Sequence, residues 1–350
     1  MNHLIVSILH MSDYEKVVDI IFGRWKSQTL YAGVKLGIFD IVSSKPMSQV
    51  KIAEELGLDP VLSYRLLRAL ASIGLLREDD DRRFSTTPMG ELLRSDNPQT
   101  LRAIALLEEG PEHYAIWKHL STMVKDGKQD GFVREFGERI FNYAAHHPSY
   151  AEVFNQAMSS YSAMQTRWIL EALDEYDFSK ILHICDVGGG HGHLLCNILL
   201  IHPHIRGTVL EMEQVIQDKT LLWANKMGIA ADRCNYVNGD MFNEVPGADA
   251  YFMKMILHDW DDKECLEILS NIQKKASVTG SRLFIIEHIV PGPETPHFSK
   301  LFDIHMLCAL TGKERTEEEY LALLKQAGFK HVQTYFPPSR IMGVIEAVKE

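Results

Sequence analysis

The C-terminal half of the chain alternates short apolar runs with stretches of helical period. The runs Ile181–Asp186, Gly207–Leu210, Asn235–Asn238, Ala248–Leu257, Ser281–Glu287, Lys330–Phe336 and Ile341–Val348 have strand length. Strands alternating with helices predict an α/β domain with a mostly parallel sheet covered on both faces. Only a short Pro-Pro connection separates the last two runs, so that pair is expected to be antiparallel.

The N-terminal third has a different pattern. Val17–Val34 reads as an amphipathic helix, and Lys35–Val42 as a short helix with a large apolar face. A third helix starts at the cap Ser48 and stops at Gly57. Pro60 then opens a helix over Val61–Ile73, with Leu62, Leu66, Leu67 and Leu70 on one face. Leu75–Glu78 and Phe84–Thr87 read as strands around the charged turn Asp79–Arg83. Helices followed by a hairpin make a winged-helix arrangement. From Leu101 to Leu173 the pattern is helical, broken at Gly110-Pro111, Asp126-Gly127, Asp130-Gly131 and His147-Pro148. The expected organisation is a winged-helix domain over 1–107, a helical linker over 108–175 lining a substrate pocket, and an α/β domain over 176–350.

Charge narrows the function of the wing. From Ser48 to Ser95 there are seven basic and eight acidic residues, whereas a DNA-reading winged helix presents a strongly basic face. The wing is therefore read as a dimer-packing module. The whole chain of 350 residues carries a net charge of −11, which argues against nucleic-acid or anionic-membrane partners. The apolar stretch Leu4–Leu9 is too short to span a bilayer and lacks the flanks of a signal peptide. Five scattered cysteines without a C-x-x-C pair suit a reducing cytoplasm and exclude a disulfide framework or zinc ribbon.

The candidate chemistry sits at the ends of the α/β strands. Asp186-Val-Gly188-Gly-Gly190-His-Gly192 follows the first strand. The glycines repeat as G-x-G-x-G, and His193 fills the slot where a dinucleotide fingerprint needs its third glycine. An acid just before such a turn suits a ligand with a positive group, such as a sulfonium amino acid that offers an ammonium to Asp186. Glu211 ends the second strand about twenty residues on, where doubly wound folds place the acid that takes ribose hydroxyls. Asp240-Met241-Phe242 ends the third strand and offers an acid beside side chains suited to adenine. The fourth strand runs through Lys254 and Met255 to His258-Asp259-Trp260. Asp259, Asp261 and Asp262 are read as helix caps rather than metal ligands. The histidines at 183, 191, 193, 202 and 204 show no ligand spacing, so no metal is expected. Substrate-binding positions are expected at Phe154, Met158, Met255, Asp259, His305 and Met306.

In these motifs, together with Gly312-Lys-Glu314-Arg-Thr316, the chain resembles the small-molecule S-adenosylmethionine-dependent O-methyltransferases of the caffeate, acetylserotonin and bacterial natural-product type. The resemblance spans nearly the whole chain. It implies a Rossmann-like, seven-stranded methyltransferase domain behind a winged-helix dimerisation domain, and a cytoplasmic homodimer. It implies His258 as general base flanked by Glu287 and Glu314. Gly188, Gly190, Asp186, Glu211, Asp240, Met241, Phe242 and Lys254 would meet S-adenosylmethionine. The acceptor would be a small molecule carrying a phenolic hydroxyl. Here Glu211-Met-Glu213 stands where the family usually has Asp-Leu-Pro. Two alternatives stay open: a non-methylating enzyme on the same scaffold and a winged-helix sensor of the cofactor. The first predicts a lost base and the second a basic recognition face.

Overall fold

The computed structural model describes residues 12–276 and 280–350; the apolar stretch Leu4–Leu9 lies outside them. The chain divides into two compact units. One runs up to Tyr114 and takes in Glu152–Ser160; the other comprises Ala115–Ala151 and Tyr161–Glu350. Residues 115–151 of the expected linker thus group with the α/β unit. Among the described residues, no helix is long and apolar enough to cross a membrane.

In the first unit, the helix expected over Val17–Val34 is two helices, Asp13–Ile21 and Gly23–Lys35. Ser12 and Glu15 form a capping box that starts the first of them earlier than the apolar period alone indicates. Phe22 leaves helical geometry at φ −94°, ψ 4° and separates the two. Gln49–Leu56 is capped by Ser48 and closed by Gly57 in the left-handed region, as the sequence predicts. Pro60–Ser72 follows and buries Leu67 and Leu70, while Leu62 stays exposed. The wing has three strands, β1 (Met47–Ser48), β2 (Leu76–Glu78) and β3 (Arg83–Thr86), in the order β1-β3-β2. β1 is too short to leave a pattern in the sequence.

The second unit is built on seven strands: β4 (His183–Val187), β5 (Arg206–Glu211), β6 (Cys234–Asn238), β7 (Ala250–Lys254), β8 (Arg282–Glu287), β9 (Phe329–Tyr335) and β10 (Gly343–Lys349). Their order is β6-β5-β4-β7-β8-β10-β9. The first five are parallel, and β10 runs antiparallel to both β8 and β9. Side chains alternate strictly between two cores. Cys185, Tyr251, Met253, Leu283 and Ile285 face the helices Asp262–Lys275 and Glu317–Gln326. Ile184, Phe252, Phe284 and Ile286 face the helix His193–Ile201. This two-sided burial is why the strands read as nearly continuous apolar runs.

The chain leaves β4 outward through β5 and β6, then returns to lay β7 on the other side of β4. That reversal is a topological switch point, and ligands in open α/β sheets bind outside the carboxyl ends of the strands there. The run Ala248–Leu257 accordingly stops as a strand at Lys254. Met255 takes φ +55°, and Leu257–Asp259 form a single 3₁₀ turn. A methionine in the left-handed region carries strain that the surrounding structure must hold in place.

Candidate functional site

Two loops at the switch point carry the polar groups predicted from sequence. The first follows β4. Gly188, Gly190 and Gly192 all have positive φ, at 66°, 56° and 84°. A Cβ on Gly192 would lie 2.6 Å from the Tyr236 hydroxyl. That hydroxyl donates to the carbonyl of His191 and accepts from the N–H of Ala224. Glu211 ties the turn down: one carboxylate oxygen accepts the N–H of Gly190 at 3.0 Å and the other that of Met212 at 2.8 Å.

Asp186 lies under the turn with 1% exposure, and neither carboxylate oxygen has a hydrogen-bond partner. Burial pushes its carboxyl up to about 7; Lys254 opposes the rise and Glu211 adds to it. Burial likewise lowers the Lys254 ammonium, against the pull of Asp186 and Glu287. Lys254 donates to the side chain of Gln165 at 3.3 Å. Asp240 closes its own loop by accepting from Phe242 N–H and from Asn243. Asn271 donates to the carbonyls of Met241 and Phe242. Phe242 meets Trp260 edge to face at 4.7 Å.

The second loop carries His258, which is 6% exposed. Its Nδ1 lies 2.7 Å from Glu314 Oε1, and its Nε2 lies 3.3 Å from Asp259 Oδ1. Glu287, fully buried at the end of β8, does not bond the ring. Its Oε1 accepts the N–H groups of Ile256 and Leu257 at 3.1 and 3.0 Å and so caps the turn below His258. The two glutamates that sequence treats alike have different partners. Burial alone would depress His258, but Asp259, Glu287 and Glu314 outweigh it and hold the ring up at about 10. Burial also pushes Glu287 up to about 7 and Asp259 up to about 6. The trio His258, Glu287 and Glu314 is compact, with one ligand atom from each within 4.8 Å of the others. Oε1 of Glu314 is engaged by the ring and Oε1 of Glu287 by backbone, whereas Oε2 of each is buried without a hydrogen-bond partner.

Of the residues read as caps, only Asp261 caps the helix Asp262–Lys275, in a capping box with Glu264. Asp262 binds Arg315, and Asp259 faces His258. The helix Phe298–Ala309 adds an aromatic row. Phe302 lies 5.8 Å from the His258 ring and stacks on His305 at 5.8 Å and 7°. Met306 is buried on this helix with 2% exposure. Phe154 and Met158 fall in the segment that groups with the first unit. The histidines at 183, 193 and 204 hydrogen-bond Thr208, Thr166 and the Phe178 carbonyl.

Sequence reasoning did not single out Gln165, Tyr236, Asn271, Phe302 or Arg315. Each acts from a distant position, and none falls at a strand end. The one signal available was the position of Arg315 inside the Gly312–Thr316 motif.

A glycine turn over an unpartnered buried carboxylate, at the switch point of a seven-stranded sheet, defines a Rossmann-like methyltransferase. Residues 117–330 match the O-methyltransferase domain family and residues 18–96 the O-methyltransferase dimerisation domain, so the chain belongs to the O-methyltransferases. It is 36% identical over 334 residues to phenazine O-methyltransferase PhzM of Lysobacter antibioticus, covering 95% of each chain. It is 33% identical over 340 residues to the mitomycin biosynthesis 6-O-methyltransferase of Streptomyces lavendulae, again covering 95% of each. The solved structure of human N-acetylserotonin methyltransferase in complex with S-adenosylmethionine superposes with a TM-score of 0.84 at 25% identity, over 97% of this chain and 98% of that one. The chemistry is S-adenosylmethionine-dependent O-methyl transfer.

Proposed function

We propose that this chain methylates a phenolic hydroxyl of a small aromatic natural product, with His258 as the base. The observation that carries the reading is the buried chain of contacts from Glu314 to His258 Nδ1, with Nε2 turned to Asp259. Relatives named for phenazine, mitomycin and N-acetylserotonin support an aromatic acceptor, as does the Phe302–His305 stack beside the imidazole.

The residues around the glycine turn fit the cofactor. Asp186, with two unpartnered oxygens, matches an ammonium; Glu211 and Asp240, each holding its own loop, present carboxylates suited to a ribose diol and an adenine amino group. Gly188 and Gly190 leave the backbone bare, Met241 and Phe242 cover a flat ring, and Lys254 balances the charge of Asp186. When bound, S-adenosylmethionine supplies an electrophilic methyl carbon. The protein's part is to hold the acceptor hydroxyl toward that carbon and to take its proton.

A phenol has a pKa near 10, so at neutral pH it needs a base as attack proceeds. In the neutral form of the ring, which grows as pH rises toward about 10, Glu314 keeps the proton on Nδ1 and leaves Nε2 to accept the hydroxyl proton. Asp259, beside the same nitrogen, orients the acceptor hydroxyl and then stabilises the imidazolium. The protein is proposed to work as a cytoplasmic homodimer through its dimerisation domain.

The test is incubation with isotopically methyl-labelled S-adenosylmethionine and a panel of phenols, read by mass spectrometry. The expected product carries the label as an aryl methyl ether. Turnover that yields a decarboxylated or hydroxylated product without label would replace this reading.

A further inference from the structure

We propose that Arg315 is a positioning residue for the base: its guanidinium fixes the backbone turn on which His258 stands. This rests on the reading of His258 as the base.

Arg315 has no solvent exposure. All five of its N–H donors are engaged. Nε and Nη2 both reach Asp262 Oδ1, at 3.0 and 2.7 Å. Nη1 donates to the carbonyl of Leu257 at 2.8 Å and to that of Lys313 at 3.4 Å. Nη2 donates to the carbonyl of Trp260 at 2.9 Å. Leu257 and Trp260 bracket His258 and Asp259, so one planar group grips both ends of the catalytic turn. The same two carbonyls also receive the thiol of Cys265, at 3.2 and 3.5 Å.

The loop that delivers Arg315 is pressed onto the same turn. A Cβ on Gly312 would lie 1.9 Å from the carbonyl oxygen of His258. The carbonyl of Arg315 accepts the N–H of Val290 just beyond β8, which pins the loop's far side. Glu314 and Arg315 are adjacent, yet they act on different parts of one residue. Glu314 orients the imidazole, and Arg315 holds the backbone from which it projects. Glu287 caps the turn from below through Ile256 and Leu257. Three residues from two elements therefore remove the freedom of a turn that starts at a strained Met255.

Lysine cannot reproduce this grip. It has three donors on a single nitrogen at the end of a flexible stem, in place of a planar fork whose three nitrogens reach three carbonyls and a carboxylate set apart from one another. A base displaced by about 1 Å costs on the order of 100-fold in rate.

The test uses Arg315→Lys and Asp262→Asn in the full-length protein, with His258→Ala in parallel and a series of phenols of decreasing pKa. The expected result for Arg315→Lys is a kcat lowered about 10- to 100-fold on a weakly acidic phenol. Its dissociation constant for S-adenosylhomocysteine should stay within about twofold. On a phenol already ionised at the assay pH, where no proton need be taken, its rate should return close to that of the unaltered enzyme. Asp262→Asn, which loosens the guanidinium without removing it, should show the same pattern at smaller amplitude. A loss that is equal for every phenol would make Arg315 a structural residue and overturn the proposal, as would no loss at all. If His258→Ala itself shows no dependence on phenol acidity, the base reading fails. If His258→Ala shows it and both Arg315→Lys and Asp262→Asn do not, the positioning role alone fails.

Discussion

Glu314 Oε1 lies 2.7 Å from Nδ1 of His258, and the glutamate side chain has no exposure. The pair joins residues 56 positions apart. In the neutral form of the ring, this pairing keeps the proton on Nδ1 and leaves Nε2 as the proton-accepting nitrogen.

His258→Ala should therefore lower kcat by about 10²–10⁴-fold on a weakly acidic phenol and leave S-adenosylhomocysteine affinity nearly unchanged. Glu314→Gln should cost less, because the amide oxygen can still accept from Nδ1 but no longer stabilises an imidazolium. Glu287→Ala should behave differently again. It strips the acceptor from two buried N–H groups and should destabilise the fold by about 2–4 kcal/mol. Kinetics together with thermal melting of the three variants checks the division; a Glu287→Ala protein as stable as its parent would contradict it.

Three carboxylates hold His258 above the ordinary imidazole value, at about 10. Its neutral, proton-accepting form therefore grows as pH rises through the alkaline range. The kcat/KM of the enzyme should climb with pH, with a midpoint well above 6.5. Glu314→Gln removes one of the anions and should bring that midpoint down. The same shift bears on stability. A folded pKa above the unfolded one stabilises fully below about 6.5, and that contribution is lost as pH rises through about 10. A pH–rate profile with the same midpoint in both proteins would exclude Glu314 as a source of the shift.

Asp186 binds its proton more tightly in the folded protein than in the unfolded chain, since burial raises it to about 7. Stability from this group is present below its ordinary value of 3.8 and falls as pH rises from there to about 7, by up to about 4 kcal/mol. Without cofactor, Asp186→Asn should melt at a temperature that varies less between pH 4 and pH 7 than the parent does. It should also bind S-adenosylhomocysteine more weakly, having lost the partner for an ammonium. Melting curves across pH with and without ligand test both halves. Parallel curves for the two proteins would count against the buried carboxyl as the titrating group.

The helix Asp13–Ile21 buries none of its residues, and it exposes Tyr14, Val17, Ile20 and Ile21, with Trp25 on the next helix. An apolar stripe of this kind marks an association surface. Light scattering is expected to give a dimer at micromolar concentration, and Ile20→Asp should shift it toward monomer. A parent protein that is monomeric at that concentration would remove the homodimer.

How much of this was legible beforehand differs between elements. The strands β4 to β8 and the glycine turn were visible because each is a local pattern: an apolar run, then residues with special backbone needs. The antiparallel last pair followed from a short connection. The split at Phe22 was not visible, because the apolar period continues across it. Nor was the end of β7 at Lys254, where the apolar run carries on through Met255 and Ile256 while the backbone turns away.

Within the site the same distinction holds for physical reasons. Asp186, Glu211, Asp240 and His258 lie at strand ends, and a parallel sheet brings strand ends together whatever the intervening chain does. Residue type and position along the chain therefore pointed to the proposed cofactor side and the proposed base. Which glutamate touches the imidazole was not determined by either. Glu287 and Glu314 are both buried acids in the right motifs, and only packing of the Gly312 loop onto the His258 carbonyl turns Glu314 to the ring and leaves Glu287 to the backbone. Arg315 likewise became a clamp through contacts spanning 53 to 58 residues, because hydrogen-bond geometry depends on three-dimensional distance and the linear pattern carries none.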